Sequence, residues 1–173
     1  MSIALYDITV PSFLQVLGSL RTVLDKGLQY AKAKDLRPED FAEARLIEDM
    51  FPLSLQVQRV ADHSAGALRD VQQGAFSMPS MNPADFAGLQ RLLADAEAAV
   101  KGCSRAAVDA LEGREIVFDT GSHRSTFGAE AFLLSFSLPN FYFHATTAYD
   151  ILRAKGVPIG KRDFLGRLRL KLD

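Results

Sequence analysis

Cysteine occurs once, at Cys103, in a chain of 173 residues. A single thiol cannot close an intrachain disulfide or build a thiolate metal cluster, and such sparing use fits a reducing compartment. Nothing near Cys103 except Arg105 would activate it, so thiol chemistry is a poor reading. Long apolar runs are missing too: none approaches the roughly 18–20 residues of a membrane span. The opening MSIALYDITVPS has no basic start, and Asp7 interrupts the apolar stretch that a signal peptide requires. A glycine-rich phosphate loop and alternating strands and helices are absent, which removes dehydrogenase and nucleotide-binding architectures. Neither sign of charge dominates: the net charge of −1 leaves no electrostatic footprint for nucleic acid. Lys161, Arg162, Arg167, Arg169 and Lys171 make the end locally basic, but Asp163 and Asp173 dilute them, and the stretch reads as a solvated tail. The expectation is a cytoplasmic protein that binds neither nucleic acid nor membrane.

What is present is ordinary globular material, 48% hydrophobic and 24% charged. Its length predicts one domain over residues 1–173 with a substantial core. From Thr9 to about Ala33, apolar residues recur at three- and four-residue steps, predicting a helix with Thr9 as N-cap and Pro11 in the first turn. RPEDFAEARL predicts a short helical turn. DMFPL opens a second helix, with Leu55, Val57, Val60, Ala61, Ser64 and Leu68 inward, ending before Gly74. AFSMPSMNP reads as a loop, and Asn82 with Pro83 as the start of a third helix whose stripe runs from Phe86 to Val100. SRAAVDAL predicts another short helical segment. REIVFDTGSHRSTF has the pattern of a small hairpin, followed by a last long helix from near Gly128 to about Lys155. The expected class is all-α, a four-helix bundle with a small β-hairpin or extended segment before the last helix.

The last helix raises the functional question. Asn140 and His144 lie one turn apart on a helix that is apolar almost all round, and a buried polar group left without a partner costs about 1–3 kcal/mol. Pro139 predicts either a kink or a restart with Ser137 as cap. Gln56, Gln58 and Asp62 on the second helix are the expected companions, and with Asn140 and His144 they form the candidate pocket. His63 follows Asp62 directly and so points about 100° away from it. His123 falls in the hairpin turn and reads as a solvated loop residue. Asp62 and His144 are the candidate metal ligands, but two strong donors fall short of the three that catalytic zinc takes. Catalytic roles stay unassigned, and the same polar residues fit a buried structural network equally well.

LYDITVPSF, DMFPLSLQVQRVAD, LPNFYFHATTAYDILRAKGV and GKRDFLG together resemble a bacterial domain-of-unknown-function family in the DinB/YfiT-like superfamily. The resemblance spans essentially the whole chain and implies an up-down-down-up bundle, a homodimer and an interhelical pocket for a small molecule. Superfamily members are read as metalloenzymes that bind a divalent ion through one second-helix histidine and an HxxxH pair on the last helix, some being thiol-dependent transferases or isomerases. Here Asn140 stands at the first position of that pair and His144 at the second, while glutamines and Asp62 stand where the remaining histidine is expected. The resemblance therefore implies an altered site, with zinc or nickel held weakly and no tightly bound metal.

Overall fold

The computed structural model describes residues 3–77, 79–82 and 84–170. Helix α1 (Leu5–Ala33) begins a turn earlier than its apolar pattern predicts. A tertiary partner makes this possible: the Tyr6 amide, one of the orphan donors of a first turn, donates to Asp109 Oδ1 at 2.9 Å. Thr9 is consequently inside the helix, and its hydroxyl donates back to the Leu5 carbonyl at 2.7 Å. After the short α2 (Pro38–Ala42), the second long helix runs as α3 (Leu53–Ala61), a π-helical turn π1 (Asp62–Gly66) and α4 (Ala67–Gln73). Gly74 stops it at φ 77°, a left-handed conformation that suits glycine at a helix C-terminus. Leu55 is only half-buried, while Leu53 and Gln56 are turned into the core.

Strand β1 (Ala75–Ser77) occupies the start of the segment expected to be a loop. Helix α5 (Phe86–Lys101) is capped not by Asn82 but by Asp85, whose carboxylate accepts from the Gly88 amide at 2.6 Å; Pro83 lies outside the described residues. Ser104 caps α6 (Arg105–Asp109). The predicted hairpin is present as β2 (Glu115–Asp119) and β3 (Arg124–Gly128), paired antiparallel. Strand β1 adds to it in parallel, Phe76 opposite Phe118, giving a three-stranded sheet in the order β1-β2-β3. The all-α expectation is thus corrected to a mostly helical fold with a small mixed sheet.

The last long helix comprises α7 (Ala129–Ala131), a second π-helical stretch π2 (Phe132–Ser137) and α8 (Leu138–Ala154). It neither breaks nor restarts at Pro139. Ser137 keeps a helical backbone at φ −70°, ψ −51°, and Pro139 sits in the first turn of α8, where the wider π turn accommodates its missing amide. Helix α9 (Lys161–Leu165) then lies against α1.

Helix α1 packs along α5 and touches α8, while α3 packs on α8 and α5, so their apolar faces share one core. Phe13 and Phe141 meet edge to face at 4.9 Å. Gly27 lets Leu152 and Phe86 close in on α1, since a Cβ there would meet Leu152 Cδ2 at 3.2 Å. The sheet is fastened to the helices by aromatic rings: Phe76 touches Phe118, Phe132 and Phe136 at centroid distances of 5.3, 5.1 and 5.6 Å. Among the described residues no helix is long and apolar enough to cross a membrane.

Candidate functional site

The two π-helical stretches face a common polar feature. A π turn inserts one residue into an α-helix, shifts the faces on either side and leaves carbonyls loosely bonded, and such turns gather at functional sites. Here the buried Ser137 hydroxyl, at the end of π2, donates to the His63 carbonyl in π1 at 3.0 Å. That bond ties the second long helix to the last one at the level of His63.

Across this junction the His63 and His144 rings lie parallel, with centroids 5.8 Å apart and an interplanar angle of 8°. Phe136 meets His63 edge-on at 5.3 Å and Phe76 flanks it at 6.4 Å. Both histidines are buried, at 4% and 8% exposure. Burial disfavours the charged form of each ring. His63 is brought down to about 4 by burial, then by the neighbouring His144 and Arg59. His144 is brought down to about 4 by burial and then by Arg59. At neutral pH both imidazoles are uncharged.

The tautomer of His144 follows from its neighbour. Gln56 Nε2 donates to the Phe51 carbonyl at 3.0 Å, which leaves Gln56 Oε1 turned towards His144 Nδ1 at 2.7 Å. An amide oxygen only accepts, so Nδ1 carries the proton and Nε2 carries the lone pair. His63 differs: its Nδ1 is buried with no hydrogen-bond partner among the described residues.

Of the five expected pocket residues, the structure brings together Gln56 and His144. Gln58 serves the β1–α5 connection, donating to the Ser80 carbonyl at 2.5 Å and accepting from the Asn82 amide at 2.9 Å. Asn140 turns back along its own helix, donating to the Phe136 carbonyl at 2.7 Å. Asp62 pairs with Arg59 at 3.0 Å, and the buried Arg59 also donates to the Pro79 carbonyl. Burial pushes the Asp62 carboxyl up to about 6 against the pull of Arg59 and Arg69. Among the described residues no three His, Cys, Asp or Glu side chains gather as a metal site.

The residue that faces His144 is therefore His63, not Asp62. A signal for it exists in the sequence: His63 comes seven residues after Gln56, two helical turns, and so on the same face. Ser137 carries no comparable signal, because its partner is a backbone carbonyl of another helix, and the same holds for the bond from Arg59 to Pro79. Cys103 is half-buried and burial pushes its thiol up, which makes it a weak nucleophile.

Residues 5–165 match the model of a family described as a domain of unknown function, DUF1993. A solved structure, a DinB family member protein from Shewanella denitrificans, is 29% identical to this chain with a TM-score of 0.81, over 98% of this chain and 96% of that one. No curated protein matches.

Proposed function

This chain belongs to the DUF1993 family, within the DinB-like superfamily, and from that premise we propose that it is a small-molecule-binding protein centred on His63 and His144. The finer architecture in this reading is an up-down-down-up four-helix bundle, supported by the long helical stretches 5–33, 53–73, 86–101 and 129–154. The observation that carries the reading is the imidazole pair: two neutral, parallel rings, one with a fixed tautomer and one with an orphaned buried nitrogen. A buried nitrogen without a partner is destabilising, and a bound polar molecule would relieve that. In such a complex His144 Nε2 accepts a hydrogen bond or a proton, while Gln56 holds the ring in place.

A catalytic metal of the kind the superfamily suggests does not fit these residues. Two imidazoles are offered, but the Asn140 amide and the Asp62 carboxylate are engaged with Phe136 and Arg59. Catalytic zinc takes three protein ligands. No step is assigned to a metal, and zinc and nickel serve here as probes of whether solutes reach the two imidazoles. Protein purified without added metal is expected to contain far less than one ion per chain by elemental analysis. Added zinc or nickel is expected to raise the melting temperature saturably, with micromolar or weaker affinity. His63→Ala and His144→Ala should each abolish that response while still folding. Wild-type protein that ignores both ions, or variants that respond like wild type, would overturn the reading.

A structural network is the second reading, favoured by the way Gln56, Gln58 and Arg59 hold the loop carbonyls of Phe51, Ser80 and Pro79. It predicts that His144→Ala unfolds the protein outright.

A further inference from the structure

A cleft lined by neither buried histidine lies where the C-terminal segment folds over α1. It has a volume of about 420 Å³, and its lining includes Gln15, Gly18, Thr22, Arg162, Asp163 and Arg167. That size lies within the range of small-ligand pockets. Its wall is built rather than incidental. Gln15 Nε2 donates to the Leu165 carbonyl at 2.9 Å. Gly166, at φ 60°, presses on α1 so closely that a Cβ would stand 2.8 Å from Ser19 Cβ.

Gly18 is the unexplained element. It sits in the middle of α1, where glycine is weaker than alanine because of its backbone entropy. Its φ is not left-handed, and a Cβ added there would meet nothing within 4 Å. Neither backbone geometry nor packing within the chain requires glycine at this position. The space that its missing side chain leaves opens into the cleft.

Charge gives the cleft its chemistry. Among the described residues, neither the Arg162 nor the Arg167 guanidinium has an ion-pair partner. The one carboxylate present, Asp163, is neutralised by Lys26 Nζ at 2.6 Å and bonded by the Gly160 amide at 2.8 Å. The Thr22 hydroxyl is spent on the Gly18 carbonyl at 3.2 Å, so the α1 side of the lining adds no charge to that of the two arginines. Two guanidinium forks suit an oxyanion that carries close to two charges and three acceptor oxygens. We propose that this cleft binds a phosphate-bearing small molecule, with Arg162 and Arg167 on the phosphate and Gly18 as the floor on which the molecule rests.

The test uses the full chain in calorimetric titrations and thermal melts, at matched ionic strength, with inorganic phosphate, phenyl phosphate and benzoate as probes. Phenyl phosphate is expected to bind saturably, more tightly than inorganic phosphate and at least tenfold more tightly than benzoate. Arg162→Gln and Arg167→Gln should each weaken it about tenfold. Gly18→Ala should raise the melting temperature of the free protein by about 2–4 °C, as a helix-interior alanine does, yet weaken phenyl phosphate. Gly18→Leu should abolish binding. No saturable binding to the wild type, equal binding of benzoate, or unchanged binding in Gly18→Ala together with the arginine variants would overturn the proposal.

Discussion

Phe76→Ala is expected to destabilise the protein by about 3–5 kcal/mol, the usual loss for removing a buried phenyl ring. Phe76 is 1% exposed and contributes the middle of an aromatic cluster that includes Phe118, Phe132, Phe136 and His63. Its strand is only three residues long, so β1 holds its place through this ring more than through its hydrogen bonds. The cavity left behind lies beside His63, and water entering it would let that imidazole charge more readily. The variant should therefore melt well below wild type in urea or heat, and its His63 should titrate closer to the ordinary imidazole value. Phe76→Leu fills most of the space and is expected to cost about 1–2 kcal/mol. A loss below about 1 kcal/mol for the alanine variant would mean that the sheet is not anchored as described.

Acid is the second large lever. His63 and His144 both fall from 6.5 to about 4 on folding. Between these values the unfolded chain binds more protons, so stability is complete above pH 6.5 and drains away as pH falls towards 4. At about 1.4 kcal/mol per unit, each ring withdraws roughly 3 kcal/mol by pH 4. Asp62 acts in the opposite sense. Its carboxyl rises from 3.8 to about 6, so the folded state binds its proton first and regains roughly 2 kcal/mol as pH falls through 6. The net expectation is a loss of about 3–4 kcal/mol between pH 7 and pH 4, read from urea midpoints. Asp62→Asn removes the opposing contribution and should steepen the loss to about 6 kcal/mol. The lowered carboxyls of Asp7 and Asp163, ordinarily at 3.8, lose their contribution only below that range. A stability that stays flat from pH 7 to 4 would contradict the buried, neutral state of the imidazole pair.

The long helices were readable because their apolar residues recur at the helical period over many turns. The hairpin β2–β3 was readable from its β-prone run and turn residues. Strand β1 was not, because three residues are too few to show an alternation and their partner Val117–Asp119 lies far along the chain. The start of α1 leaves no mark in the local sequence because the group that satisfies its first turn, Asp109, comes from another helix. Both π turns were hidden for a different reason: an apolar pattern read at 100° per residue has no place for an inserted one. In the site, Gln56, Gln58 and Asn140 looked alike as polar residues on apolar helices, and their partners decided between them. Gln56 meets His144, whereas Gln58 and Asn140 spend their amides on backbone. For His63 the sequence points two ways: its angle to Asp62 turns it away, while its spacing from Gln56 places it on the same face.

The central claim concerns the protonation of two rings, and side-chain nitrogen NMR of the histidines reads it directly. His144 should appear at pH 7 as a neutral ring with its proton on Nδ1, His63 should also be neutral, and both should titrate near pH 4. A His144 protonated on Nε2, or a buried pair that charges near pH 6.5, would contradict the account.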